Sequence, residues 1–345
     1  LSAWEPQSVG LPIVYGTRRL PGMLILQETT NNGLLLFQYF ALCEGLVQSI
    51  GIFKDDNSAL PNNSYVQWAY YLGADGGAQA SKPIHGSSGS AIGWFNDPPN
   101  WGTSQMMKGI AGAFIYYQYN ETEMPRVPST YFMVTGKNIT GNDDNPIRIA
   151  YDYLTNTRYG AGISSSLIDS TSVTNAANIC DVVSDSVKAF TCNIVLDSRQ
   201  KVLANLKQIL QTCLGQLHFI NGKYYFHIDD TFSGTPVLAI DESMILGGIN
   251  ITADSKNSRA NQVIVTWTNP DDQYQTSEVA WPDPNNETST YNSYLSADNN
   301  LPLINRVSIP ACTNYKQARY LAMILCKSSR QNTNVSLKVT SEGAN

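Results

Sequence analysis

Charge is scarce in this chain: Asp, Glu, Lys and Arg make up 14% of its 345 residues, against roughly a quarter in an ordinary globular protein. The balance is acidic, with a net charge of −6 at pH 7. Nucleic-acid binders gain affinity by neutralising phosphates with clustered Lys and Arg. Here the longest basic run is Arg18-Arg19, which disfavours a dedicated nucleic-acid binder. An acidic wall would instead let DNA pass without sticking.

Long apolar runs are missing too. A helix crossing a bilayer needs roughly 18 such residues, and the longest candidate, from Leu34-Leu35-Leu36-Phe37, is broken by Gln38 and then Cys43-Glu44. The chain starts at Leu1 without the basic leader of a signal peptide. The expectation is an internal piece of a longer chain. Histidine is limited to His85, His218 and His227, and none of Cys43, Cys180, Cys192, Cys213, Cys312 and Cys326 forms a Cys-x-x-Cys pair. That pattern disfavours a zinc site. His218 and His227 flank an expected hairpin and read as an ordinary cross-strand pair without a third ligand. The cysteines read as buried reduced thiols, with a Cys180–Cys192 disulfide left open.

Catalytic signatures are equally thin. There is no HExxH, Walker loop, GxSxG elbow or GxGxxG. Gly86–Gly93 is Gly-rich but lacks the Gly-Lys-Ser/Thr of a phosphate loop. The acid pairs Asp143-Asp144 and Asp229-Asp230 sit in turn-like contexts and read as solvated turn residues. Asp55-Asp56-Asn57 lacks the spaced ligands of a calcium loop. Catalytic, cofactor and metal residues are thus all expected to be none, and the chain not to be an enzyme.

What is abundant is Asn, Ser, Thr and Tyr, with 42% hydrophobic residues, a composition suited to strands and turns. Short apolar runs at 13–16, 23–27, 34–41, 50–53, 112–119 and 130–136, punctuated by Pro-Gly and Asn-Gly, predict strands. Residues 57–108 read as a long elaboration in which Trp68, Trp94 and Trp101 are packing anchors. Asn145-Pro146 predicts a helix start, with Ile147, Ala150, Tyr151 and Leu154 on one stripe. A second helix is expected from Ser170, and a third capped at Asp197 or Ser198 and ended by Gly215. Leu217–Ile220, Asn221-Gly222 and Lys223–Ile228 predict a hairpin. Strands are expected at 236–240, 245–251, 261–268 and 335–340, a loop over 281–293, and a helix from Thr313 to about Ser329. Sequons at Asn62, Asn120, Asn138, Asn250, Asn286 and Asn334 keep a secreted glycoprotein or adhesin in view.

A string of fragments then stands in order along the chain: Pro12-Ile13-Val14-Tyr15-Gly16-Thr17-Arg18-Arg19 with Pro21-Gly22, Ala41-Leu42-Cys43-Glu44-Gly45, Ile52-Phe53-Lys54-Asp55-Asp56 and Lys108-Gly109-Ile110-Ala111. It continues with Asn145-Pro146, Tyr151 to Asn156, Arg158-Tyr159-Gly160, Phe190-Thr191-Cys192-Asn193, Gly222-Lys223-Tyr224, Arg259 to Val263 and Gln317-Ala318-Arg319. This string, collinear from about Leu11 to Val339, resembles the hub region of tip-attachment (host-specificity) proteins of long-tailed phages of the lambda type. The resemblance implies an α+β, predominantly β fold with two tail-tube-like β-barrel domains around a small α+β module. The corresponding boundaries are 1–145 (with the elaboration at about 57–108), 146–235 and 236–345. It also implies a structural tail-tip or baseplate hub of the virion, assembled in the host cytoplasm and sited at the distal end of the tail. Its implied partners are two further copies in a homotrimer, the distal tail-tube protein, the tape-measure protein, other tip proteins or fibres, DNA only in transit, and the host surface indirectly. No cofactor is implied. A tail-associated cell-wall hydrolase and the secreted adhesin are the alternatives.

Overall fold

A computed structural model describes residues 10–74, 108–139, 144–184, 187–196, 199–228, 240–253, 259–331 and 333–340. The first two of these regions hold only strands as their regular elements: β1 Ile13–Tyr15, β2 Thr17–Leu20, β3 Met23–Thr30, β4 Leu35–Glu44, β5 Ser49–Lys54, β6 Val66–Tyr71, β7 Ile110–Gln118 and β8 Thr130–Thr135. Strands β3, β4, β7 and β6 lie in that order in one antiparallel sheet, and β2, β8 and β5 form a second. The turn joining β3 to β4 is set by Asn31, Asn32 and Gly33, all left-handed, the conformation those residue types tolerate best.

Side-chain alternation decides where these sheets bury their apolar groups. On β7, Ala111, Ala113, Ile115 and Tyr117 enter a core shared with Leu20, Ile50, Ile52, Phe132 and Val134 of the second sheet. The intervening Phe114 and Tyr116 face the other way, into an aromatic cluster with Phe37 and Tyr39 of β4, their direct register partners. With both faces covered, β4 and β7 read as nearly unbroken apolar runs. Gly112 is required there, because a Cβ would overlap the Tyr39 hydroxyl and the Phe40 carbonyl.

The helical stretch comprises α1 Pro146–Thr155, α2 Ser170–Cys180, β9 Val183–Ser184, β10 Val187–Lys188, β11 Ile194–Leu196, α3 Val202–Gln211, β12 Gly215–Ile220 and β13 Lys223–Ile228. Helix α1 starts as its sequence predicts, with Asn145 accepting from the Ile147 and Arg148 amides and Pro146 in the first turn. The β12–β13 hairpin turns on Asn221 and Gly222, both at positive φ. Helix α3 differs at both ends. It begins at Val202 after Lys201, which makes no side-chain cap, while the expected caps at 197 and 198 lie outside the described residues. Its exit turn falls on Leu214 at φ 53°, so that Gly215 becomes the first residue of β12.

The last region contains β14 Asn250–Ala253, β15 Gln262–Asn269, β16 Gln275–Trp281, α4 Thr288–Ala297, β17 Ile304–Ser308, α5 Tyr315–Ser329 and β18 Thr333–Ser336. Strand β15 is central, antiparallel to β16 and parallel to β17, and α5 covers this sheet with Ala318, Leu321, Ala322 and Cys326. Several expectations are corrected here. The loop expected over 281–293 includes the start of α4, and 245–251 is a strand only from Asn250, after a 3₁₀ turn at Glu242–Met244. Strand β6 lies within the expected elaboration, and of the strand expected at 236–240 only Ile240 is described. Helix α4 has no buried residue, so it lacks the apolar stripe that reveals a helix in sequence.

Strand outweighs helix, 38% against 24%, and the fold is α+β and predominantly β, as expected. The barrels are a correction: the described sheets have two, three or four strands and none closes on itself. The polypeptide closes its cores by stacking open sheets and helices instead. Strand β1, paired with β11, separates the two largest cores. Ile13 and Tyr15 point into the one built from α1, α2, α3, β15 and α5, and Val14 points into the one between the first two sheets.

Candidate functional site

Several of the collinear fragments meet around β1 in a part-buried polar joint. At its centre is Asn193, just before β11. Its Oδ1 accepts from the Thr17 amide at 2.8 Å, its Nδ2 donates to Thr313 Oγ1 at 2.7 Å, and its backbone amide donates to the Ala311 carbonyl at 2.9 Å. One side chain thereby ties β2 to the segment leading into α5. Gly16 stands at φ 65° directly against it, and any Cβ there would overlap Asn193 Oδ1, so the pinch between β1 and β2 needs glycine.

Gln317 does the same work in the first turn of α5. It is 2% exposed, accepts from the Thr191 amide and hydroxyl at 3.2 and 3.0 Å, and donates to the carbonyls of Thr191 and Thr212 at 2.9 and 2.8 Å. A buried amide with every group engaged stabilises one arrangement, whereas a half-satisfied one would favour opening. Arg18 and Arg19 extend the joint outward. Arg18 donates to the carbonyl of Pro310 at 3.0 Å. Arg19 lies 3.7 Å over the Tyr131 ring and donates to the Gln273 carbonyl at 3.0 Å. The pair thus clamps β2 to the last region.

A second cluster lies where β1 meets α1. Asp152 accepts from the Tyr15 hydroxyl at 2.6 Å and the Tyr159 hydroxyl at 2.9 Å. Lys137 donates to the Gly45 carbonyl at 2.5 Å and sits 4.7 Å over the Tyr159 ring, and Arg158 pairs with Glu44. Burial, with the Asp152 charge beside it, pushes the Tyr15 hydroxyl far above its usual range. Burial also raises Tyr159 and moves the Cys43 thiol up to about 12, while it lowers Lys137 despite Glu44 and Asp152. The tyrosines and the thiol are thus held protonated and away from nucleophilic reactivity. Such groups fasten segments together.

A third knot secures the last region. Arg330 donates to Asp298 at 2.8 Å and to the Ala260 carbonyl at 3.1 Å, with Arg259 3.4 Å from the same carboxylate. Burial alone would raise the Asp298 carboxyl; the hydrogen bond and charge of Arg330, with Asn261 and Arg259, hold it below its ordinary value.

The residues singled out from sequence are mostly not in the joint. His218 and His227 share a hairpin face with ring centroids 6.4 Å apart, and no group of three metal-ligating side chains exists among the described residues. Asp56 closes a local turn, accepting from the Ser58 amide and hydroxyl at 2.9 and 2.5 Å. Asp144 pairs with Lys188 at 2.6 Å. Trp68 is half-buried on β6 and donates to the Leu60 carbonyl at 3.0 Å, a packing anchor as expected. All six cysteines are free and buried. His85, Gly86–Gly93, Trp94, Trp101, Asp143 and Asp229-Asp230 lie outside the described residues. Sequence reasoning did not single out Asn193 and Gln317 as site residues. The available signal was a polar side chain beside a buried apolar stripe.

Residues 201–345 match a family described as "Putative phage tail protein". The baseplate hub protein pb3 of Escherichia phage T5 is 21% identical over 415 aligned positions, which cover 95% of this chain and 42% of that protein. The chain therefore spans about two fifths of the length of the curated relative it matches. A solved structure described as the virion of a native gene transfer agent particle holds a chain of the same fold. Its TM-score is 0.60 at 13% identity, over 95% of this chain and 74% of that one. The resemblance to the phage tail-tip hub family, read from the ordered fragments, is borne out by these likenesses.

Proposed function

We propose that this chain is the hub at the distal end of a phage tail, where three copies close the tail tube and form the conduit for the tape-measure protein and then DNA. The observation that carries the reading is the likeness to a named baseplate hub protein across 95% of the chain, matched in fold by a chain of a gene transfer agent virion. A closed cyclic trimer uses the same patches on each subunit. In that assembly the two β-rich regions, 1–145 and 236–345, would face the tube, with 146–235 between them. The joint around Asn193 and Gln317 fits the role, because it holds the regions of one subunit in fixed relation while the assembly carries load. Opening then belongs to contacts between subunits, where two packings of similar free energy can be biased by a signal at the tip. The scarcity of basic runs suits a passage that DNA must cross without arrest.

Immunogold microscopy of intact particles with antibody against this chain tests the location. Label confined to the distal tail end is expected. Label on the capsid, neck or tail shaft would sink the assignment. Light scattering on the isolated chain tests the stoichiometry, with a trimer expected and a persistent monomer at high concentration contradicting it.

A further inference from the structure

Helices α3 and α5 and the β12–β13 hairpin surround a groove of about 1070 Å³. That volume lies just above the range for small-molecule pockets, roughly 300–1,000 Å³, and its rim is open, with Leu203 61% exposed. Helix α5 buries Ala318, Leu321, Ala322 and Cys326 against the β15 sheet, yet Met323 and Ile324 are also apolar, lie only half-buried and line the groove. A helix that is apolar on two sides is ordinarily covered on both.

Charge gives the occupant its character. Segments 199–228 and 311–340, which contain α3, the hairpin and α5, hold nine of the 22 Lys and Arg and none of the 28 Asp and Glu. The charged residues lining the groove are Lys207 and Lys327, both exposed. Among the described residues, no carboxylate pairs with either; Lys327 rests 5.5 Å over the Trp281 ring instead. On a chain of net charge −6, this is an apolar slot with a purely cationic rim.

We propose that the groove is a docking site for an acidic amphipathic helix of another protein. Helices α3 and α5 each line the groove, and a helix packs into the ridges of another at about 8–10 Å between axes. Recognition of this type reads apolar anchors at i, i+3, i+4 and i+7. The anchors would lie on Leu203, Leu217, Met323 and Ile324, and carboxylates flanking the apolar stripe would meet Lys207 and Lys327. The inference rests on the groove and does not depend on the hub reading.

The test uses a fluorescein-labelled, helix-forming peptide of about five turns, with Leu at those anchor spacings and Glu on both flanks, and its isomer with Lys in place of Glu. Both are titrated against the whole chain by anisotropy. The Glu peptide is expected to bind at least about tenfold more tightly, with an advantage that shrinks as salt rises. The Lys207→Glu/Lys327→Glu double variant should invert the preference. Leu203→Asp should weaken the Glu peptide about tenfold while leaving the melting temperature unchanged, since Leu203 is exposed. No binding, equal binding of the two peptides, or a preference that survives the double reversal would overturn the proposal. So would self-association of the chain abolished by Leu203→Asp, which would make the occupant a second copy.

Discussion

Helix α5 meets the rest of the molecule in two opposite ways. In its first turn Gln317 is buried and every polar group on its amide is engaged. Two turns later Met323 and Ile324 carry no polar group at all and yet stay half-open at the groove. At the joint, specificity comes from donors and acceptors that fit one partner set. At the groove, the surface is apolar with charge only at the rim, a design that accepts any segment of the right pattern. The joint therefore governs stability, and the groove should be almost irrelevant to it.

The sharpest way to break this contrast is Gln317→Ala. Removing the amide strands the Thr191 amide and the Thr191 and Thr212 carbonyls in the interior, and a loss of about 3 kcal/mol is expected by chemical denaturation. A loss under about 1 kcal/mol would mean that water replaces the amide and the joint is soft. Asn193→Ala comes next, at about 2 kcal/mol, since it cuts bonds to Thr17 and Thr313 but leaves the backbone pairing to Ala311. The double variant with Gln317→Ala should be non-additive if the two belong to one network. Asp298 gives a smaller, pH-dependent effect. Its carboxyl is held below the unfolded value of about 3.9, so its contribution is full above that pH and fades as pH falls through the folded value. Asp298→Asn should accordingly remove part of the acid sensitivity below about pH 4, and an unchanged acid limb would show that the knot with Arg330 contributes nothing. The smallest effect is expected at the groove: Leu203→Asp should shift stability by no more than about 0.5 kcal/mol.

Much of the fold was legible because its signals are local. Asn145-Pro146 caps α1, Asn221-Gly222 turns the hairpin, and apolar runs mark β4 and β7. Helix α4 was not legible, since its polar, unburied surface carries no periodicity. The barrels were implied by the family resemblance alone, because closure depends on which strands become neighbours and strand periodicity does not encode that. The joint was half-visible. Asn193, Gln317 and Arg18 all stand in the ordered fragments, but their partners lie more than 100 residues away, and no local rule brings them together.

Strand β1 adds a consequence of its own. With Val14 in one core and Ile13 and Tyr15 in the other, neither core can loosen without exposing side chains of the strand that seals its neighbour. The two should therefore melt as a single cooperative unit, and the Val14 amide should exchange its hydrogen only through opening of both. Three residues thus make one folding unit of what would otherwise be two.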